Sequence, residues 1–419
     1  MRARNASHEQ KRQAFYETVP AFWHDLFGEP YALYDVYSIT EEEAAAIRTA
    51  TDRIAAIYDK TAPLLRSLPD ETLTELGIPA ESIPYIKTKP LTQEGVIRRV
   101  DLVKTPDGWK HFEINADTPT FIYELFHVNG LAARHFGYKD PNAGSELALQ
   151  TAIRRAVREL WNSRQAPKVV FTAHSDHEED WNTALYLGRT FGYPHETIPL
   201  DQLQLIEEEG LFTPDGEKID ILYRQTYPIE HLINDKSEDG TAIGIELLKL
   251  VKDEKLAVIN PLSSFLLQSK AVQALIWGLH ESNHAFFNET EHEWIRDHYL
   301  PTYLENEPFL KKGVKYVEKP AFGREGDTIT VFGPDGQPLE ANKLKTYDDS
   351  LKVYQQHQDL PAAAIQTPFG KETARLLIGS FVIGQKAEAF GIRAGSAITG
   401  NEACFLPAGI KPIKKGADQ

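Results

Sequence analysis

The stretch IRRVDLVKTPDGWKHFEIN, residues 97–115, constrains this chain more tightly than any other. Two alternating runs flank a Thr-Pro-Asp-Gly turn signal, and that combination specifies a β-hairpin. Pro106 and Asp107 suit the centre of a type I turn and Gly108 the left-handed position after it, which predicts a three-residue loop. That loop pairs Arg99 with Asn115 and Asp101 with Glu113, all four side chains on one side of the pleat.

Two carboxylates placed directly opposite each other repel, so the arrangement requires either solvent or a cation between them. Asp, Glu and Asn oxygens without a nearby cysteine suit Mg²⁺ held jointly with substrate phosphates, and Arg99 could stabilise anionic oxygens beside them. The alternative is a solvated hairpin carrying a surface ion pair, and spacing alone leaves it open.

A second constellation is EKPAFGREGDTITVF, with Lys319 at a strand end and Gly323, Arg324 and Gly326 in a tight loop before another strand. Glycines let backbone N–H groups approach phosphate closely, and Lys319 and Arg324 add charge. The pattern matches neither the phosphate loop opening a helix nor the dinucleotide fingerprint; a plain hairpin turn is the competing reading.

Around these motifs, Thr40 and Glu43 form a capping box at the head of a helix running to about Leu65, with Ile47, Ile54 and Tyr58 on its apolar face. SELALQTAIRRAVRELW reads as a helix, KVVFTA as a buried strand, and HSDHEEDWNTALYLGRTFGY as a helix capped by Ser175 and Glu178 and stopped at Gly192. With ETIPL and IDILYRQTY this makes a βαβ-like unit. SSFLLQSKAVQALIWGL reads as one helix, the acidic 280–310 region as loop-rich, and the remainder as strands. His174 and His177 lack a zinc-protease frame and read as part of a loop and cap.

A chain of 419 residues, 42% hydrophobic, divides into two or three substructures around a large core. Its net charge of -16 disfavours nucleic acid or anionic membrane as a partner and suits a cationic one. The single cysteine, Cys404, excludes an internal disulfide framework. No apolar segment follows the basic N-terminus and no long apolar run occurs, so a reducing cytoplasm is expected.

Taken in order, RVDLV, FEINADTPT, KPAFGREGDTITVF, VYQQHQDLP and FGIRAGSAITGNEACFLP resemble the glutathionylspermidine synthase family, whose synthetase part is an ATP-grasp-type ligase. The resemblance implies an α/β (α+β) fold, ATP-grasp-like in circularly permuted order, with a preATP-grasp-like βαβ subdomain. The implied division is residues 1–165 (helical region and metal hairpin), 166–265 (substrate subdomain) and 266–419 (nucleotide-binding portion).

By the same resemblance Asp101, Glu113 and Asn115 would bind two magnesium ions, and Arg99 and Arg393 would serve catalysis. Arg99, Lys270, Lys319, Glu325, Gly326, Gln355, Gln356, His357, Gln358, Gln366, Ala397, Ile398 and Thr399 would contact ATP. Thr118, Glu178, Glu179 and Thr226 would hold a peptide substrate. The implied reaction is ATP-dependent amide formation through an acyl phosphate between a peptide carboxylate, such as glutathione, and an amine, such as a polyamine. A ligase for a different acid and amine, or a non-catalytic nucleotide-binding protein, stays open. The family's bifunctional members carry an amidase domain with a cysteine nucleophile; Cys404 lies in the ligase part, so hydrolysis of the product is not expected.

Overall fold

The computed structural model describes residues 5–324, 326–397, 400 and 402–411. Its centre is a six-stranded antiparallel sheet in which Cys404–Leu406, Lys386–Gly395, Gly370–Ile383, Ile97–Thr105 and Gly108–Asn115 lie side by side, with Ala362–Thr367 added on Gly370–Ile383. The chain's early hairpin therefore pairs with strands from its last fifty residues.

One face of this sheet is covered by the helix Glu41–Ser67, whose capping box of Thr40 and Glu43 is formed from both sides. Ile47, Ile54 and Tyr58 are buried on its sheet-facing stripe, and Thr51 bonds Ser380 at 2.7 Å. Strand alternation then sorts the two adjacent arginines. Arg98 points to the helix and pairs with Asp59, while Arg99 points to the opposite face.

A second, five-stranded antiparallel sheet orders Thr302–Tyr303, Lys352–Gln356, Tyr316–Pro320, Thr330–Phe332 and Pro338–Ala341. The third layer is parallel: Ala257–Ile259, Ile221–Gln225, Val169–Ala173 and Glu196–Pro199. Val169–Ala173 and Ile221–Gln225 are buried at every position, as strands covered on both faces must be. The helices Ser145–Leu160 and Glu178–Phe191 flank this unit.

Four local expectations change. The hairpin has a two-residue loop, because Thr105 pairs with Gly108; the register is then shifted by a bulge between Asp101 and Leu102. The cap of Glu178–Phe191 is His177, whose ring accepts from the Asp180 amide, since the helix begins too late for a Ser175–Glu178 box. The stretch after Pro261 splits into a 3₁₀ segment, Leu262–Leu267, and an α-helix, Ala271–Glu281, leaving Gln268 and Lys270 free to reach the hairpin. The 280–310 region holds the helix Glu289–His298, opened by a capping box of Asn288 and Glu291, and the short helix Glu307–Lys312.

Candidate active site

The bulge decides what the hairpin presents. Leu102 pairs with His111 and Asp101 with Glu113, so Phe112 is the extra residue and the ladder changes parity there. His111 stays in the core against Tyr58 at 2.9 Å, whereas Phe112 and Glu113 both face the cleft between the two antiparallel sheets. Arg99 pairs with Asn115 across the same ladder.

Both carboxylates are matched by cations. Arg99 grips Asp101 through Nε–Oδ1 at 2.7 Å and Nη2–Oδ2 at 3.1 Å, and its third nitrogen donates to the Thr120 carbonyl at 3.0 Å. Lys270 Nζ lies 3.0 Å from Glu113 Oε2. Burial would raise the Glu113 carboxyl, but Lys270, Lys319 and Arg99 outweigh it and hold the group at about 2. Burial lowers the Lys319 ammonium to about 8 despite Glu113, and it rests over the Phe112 ring at 4.9 Å. Asn115 Nδ2 is buried without a partner.

Backbone anchors fix this face. Gln268 Oε1 accepts from the Ala116 and Asp117 amides, and Asn260 donates to the Ile97 and Asp117 carbonyls at 2.8 Å each. Asp117 forms a buried pair with Arg224 and accepts from the Ile229 amide. The NADT segment is thereby joined to the parallel sheet.

Two pockets meet at the carboxylates. The first lies between the sheets: Val317, Ile329, Val331, Leu360 and Leu377 supply apolar walls, Lys270, Lys319 and Arg324 the charge, and Gln355, Gln356, His357 and Gln358 one edge. Gly326 and Ala397 also line it. Lys319 donates to Gln355 at 2.8 Å, and Gln355 donates to Gln273 at 2.9 Å. In the loop, a side chain at Gly323 would meet Pro320 Cγ at 2.5 Å, so only glycine fits there.

The second pocket is lined by Asp101, Glu113 and Asn115 together with Arg99, Thr118, Glu179 and Arg393, and Leu26 and Phe27 also line it. Arg324 belongs to both pockets and donates to Thr118 Oγ1 at 2.8 Å. Burial, with help from Glu124 and Asp180, raises the Glu179 carboxyl despite Arg393.

Some expected residues lie elsewhere. Gln366 bonds Asp35 and its own neighbour, away from the cleft; Glu178 is exposed; and Thr226 is buried at the end of Ile221–Gln225 and bonds Tyr227. Glu325, Ile398 and Thr399 are outside the described residues. Sequence reasoning missed Tyr31 and Glu124, and it read His177 only as part of a loop and cap. Tyr31 and His177 line the second pocket, and Tyr31 donates to fully buried Glu124 at 2.5 Å. A lone carboxylate inside the apolar run FIYELFHV was the available signal for Glu124.

Two antiparallel sheets closing on a cleft with acids and a guanidinium on one wall and lysine and a glycine loop on the other, beside a parallel α/β unit, define an ATP-grasp-type fold. The chain matches the family described as "Glutathionylspermidine synthase preATP-grasp" over residues 3–411, and it belongs to that family. It is 26% identical over 334 residues to a Haemophilus influenzae protein described as "Putative acid--amine ligase", covering 74% of this chain and 73% of that one. A solved structure of a glutathione synthetase-like effector from Globodera pallida superposes with a TM-score of 0.61, covering 96% of each chain at 11% identity; that likeness concerns the fold.

Proposed function

We propose that this protein joins a carboxylate to an amine with ATP, by way of an acyl phosphate. The observation that carries the reading is that the two pockets share Asp101, Glu113, Arg324 and Gly326. A phosphoryl donor in one pocket and an acceptor in the other would meet at those residues. The family and the description of the Haemophilus relative support the acid–amine class.

The donor set fits magnesium. Asp101, Glu113 and Asn115 offer hard oxygens on one face, and among the described residues no three His, Cys, Asp or Glu side chains form a closed cage. Its remaining ligands would therefore come from substrate phosphates. Bound there, Mg²⁺ would neutralise phosphate charge and polarise the transferred phosphoryl group.

The chain's own residues then divide the work. Lys270, Lys319 and Arg324 hold the phosphates, and the apolar walls with the Gln355–Gln358 edge hold the base. Arg99, kept in place by Asp101 and Thr120, faces the charge that develops as a carboxylate oxygen attacks the γ-phosphorus and ADP leaves. Arg393 orients the acid. The amine nitrogen then attacks the acyl carbon, phosphate departs, and Glu179, whose raised carboxyl readily accepts a proton, takes the one lost by the amine.

A glutathione-like peptide and a polyamine are the pair the family name points to, and the acidic chain suits such a cation. The 1–165, 166–265 and 266–419 division would assign hairpin, substrate and nucleotide parts to this chemistry. No helix among the described residues is long and apolar enough to cross a membrane, and we place the enzyme in the cytoplasm.

The test uses a peptide whose carboxylate carries heavy oxygen, incubated with MgATP and a polyamine. One labelled atom should appear in the released phosphate. Amide product with unlabelled phosphate would eliminate the acyl phosphate, and no turnover with any acid and amine would eliminate the ligase.

A further inference from the structure

We infer that Tyr31 and Glu124 form a proton relay that prepares the amine for attack: the Tyr31 hydroxyl takes a proton from the bound ammonium as its own passes to Glu124. This rests on the ligase reading and completes its proton account. A primary amine binds as an ammonium with three N–H bonds and ends as an amide nitrogen with one, so two protons leave it. Glu179 takes the proton lost after attack; the one lost before attack needs another acceptor.

Tyr31 lines the second pocket with Glu179 and Arg393, and both of those charges act on its hydroxyl. Its main chain is clamped from both sides. The amide donates to the His24 carbonyl at 3.0 Å, and the carbonyl accepts from the Phe405 amide at 2.8 Å. From that fixed position the hydroxyl donates to Glu124 Oε1 at 2.5 Å.

Glu124 opens the π-helical turn Glu124–Val128 and is fully buried, so a ligand reaches it only through Tyr31. A carboxylate kept merely to hold Tyr31 should have both oxygens satisfied, yet Oε2 is shielded and has no hydrogen-bond partner among the described residues. Burial raises this carboxyl to about 7 against the pull of Tyr31, Arg99 and Arg393, which makes it a stronger base than an ordinary carboxylate. Burial, Glu124 and Glu179 keep the Tyr31 phenol protonated, so it passes a proton on and stores none.

The step balances. One N–H bond breaks and its proton joins the Tyr31 oxygen, while the Tyr31 O–H proton moves to Glu124 Oε1. The freed nitrogen lone pair forms the C–N bond as phosphate leaves the acyl carbon with its electron pair. The reverse shift through Tyr31 returns the proton to the departing phosphate.

The experiment compares wild type with Glu124→Gln, which keeps an acceptor for Tyr31 but cannot take the proton. Glutathione and MgATP are supplied with an alkylammonium, spermidine or propylamine, or with hydroxylamine, which arrives neutral. With the alkylammonium, kcat should fall by about 10²-fold or more, the usual contribution of one proton-transfer group. With hydroxylamine it should change by less than about threefold. Scrambling of labelled oxygen between the bridging and non-bridging β-phosphate positions of ATP, measured with glutathione and no amine, should change as little. Glutamine removes a buried charge, so the variant should melt no lower than wild type.

An equal loss with both kinds of nucleophile, or none with either, makes the pair structural and overturns the inference. Wild type that uses hydroxylamine and neither alkylammonium overturns it as well, since no ammonium is then deprotonated. Absence of both scrambling and product in wild type overturns the ligase reading itself, and the inference with it.

Discussion

Lys270 Nζ stands 3.0 Å from Glu113 Oε2 and 3.0 Å from the Gly323 carbonyl, so one buried ammonium links the carboxylate hairpin to the glycine loop. Neither segment is near the other in sequence. The break between Leu262–Leu267 and Ala271–Glu281 is what lets the side chain reach both.

Lys270→Met keeps the stem and removes the charge. The expected result is a fall in kcat/KM for ATP of about 10²–10³-fold, the usual loss for one positioned charge in a closed site. Steady-state kinetics at saturating amine measures it, with circular dichroism confirming the fold. A change below about threefold would show that Lys270 only ties the loop down.

Chelation of divalent cations should abolish turnover, and added Mg²⁺ should restore it. Binding of a non-hydrolysable ATP analogue at about 100 times its Kd should stabilise the Mg²⁺-loaded protein by about 2.7 kcal/mol. Asp101→Asn should lose the Mg²⁺-dependent part of that gain. Thermal denaturation with and without chelator tests this, and equal stabilisation in both enzymes would remove Asp101 from the metal site.

Gly379 pairs with Asp101, and a Cβ there would lie 3.1 Å from Arg99 Cδ and 3.3 Å from Phe121 Cδ1. Gly379→Ala should therefore cost about 1–2 kcal/mol in denaturant unfolding. Because the pressure falls on Arg99, kcat should drop by more than tenfold while the fold persists. Full activity in the variant would mean that Arg99 yields without consequence.

Glu230 titrates against expectation for a carboxyl. Its side chain is half-buried, yet both oxygens are shielded and lack a donor. Burial raises it from 4.5 to about 7; Asp117 adds to the rise, while Arg324 and Lys270 oppose it. The folded chain thus binds more protons than the unfolded chain between these values, and stability falls as pH rises through that window. Allowing for partial exposure, Glu230→Gln should remove a decline on the order of 2 kcal/mol between about pH 4.5 and about pH 8. Urea unfolding at both ends of the window measures it, and parallel pH profiles for the two proteins would refute the assignment.

Local chemistry was legible where one turn or one cap decides the structure. Thr40 with Glu43 and Gly192 as helix stop are readable from residue type alone. The facing pairs of Arg99 with Asn115 and Asp101 with Glu113 were also reached, though by a different route, since a tighter loop and a bulge together give the same pairing. A bulge leaves no mark on alternation when the inserted residue, Phe112, is itself apolar. Glu124 and Tyr31 were hidden because their hydrogen bond spans 93 positions of sequence. Gln268 and Asn260 could not be assigned because their partners are main-chain atoms, which carry no sequence signature.

Phe112 also sets how little separates this sheet from an inert one. Were the ladder to run on from the Leu102–His111 pair without the bulge, Phe112 would face Asp101 and Glu113 would turn to the side of Tyr58 and the long helix. Absorbing one extra residue at that single point therefore divides a catalyst from a scaffold. A slip of one residue beyond it would set the two carboxylates back to back.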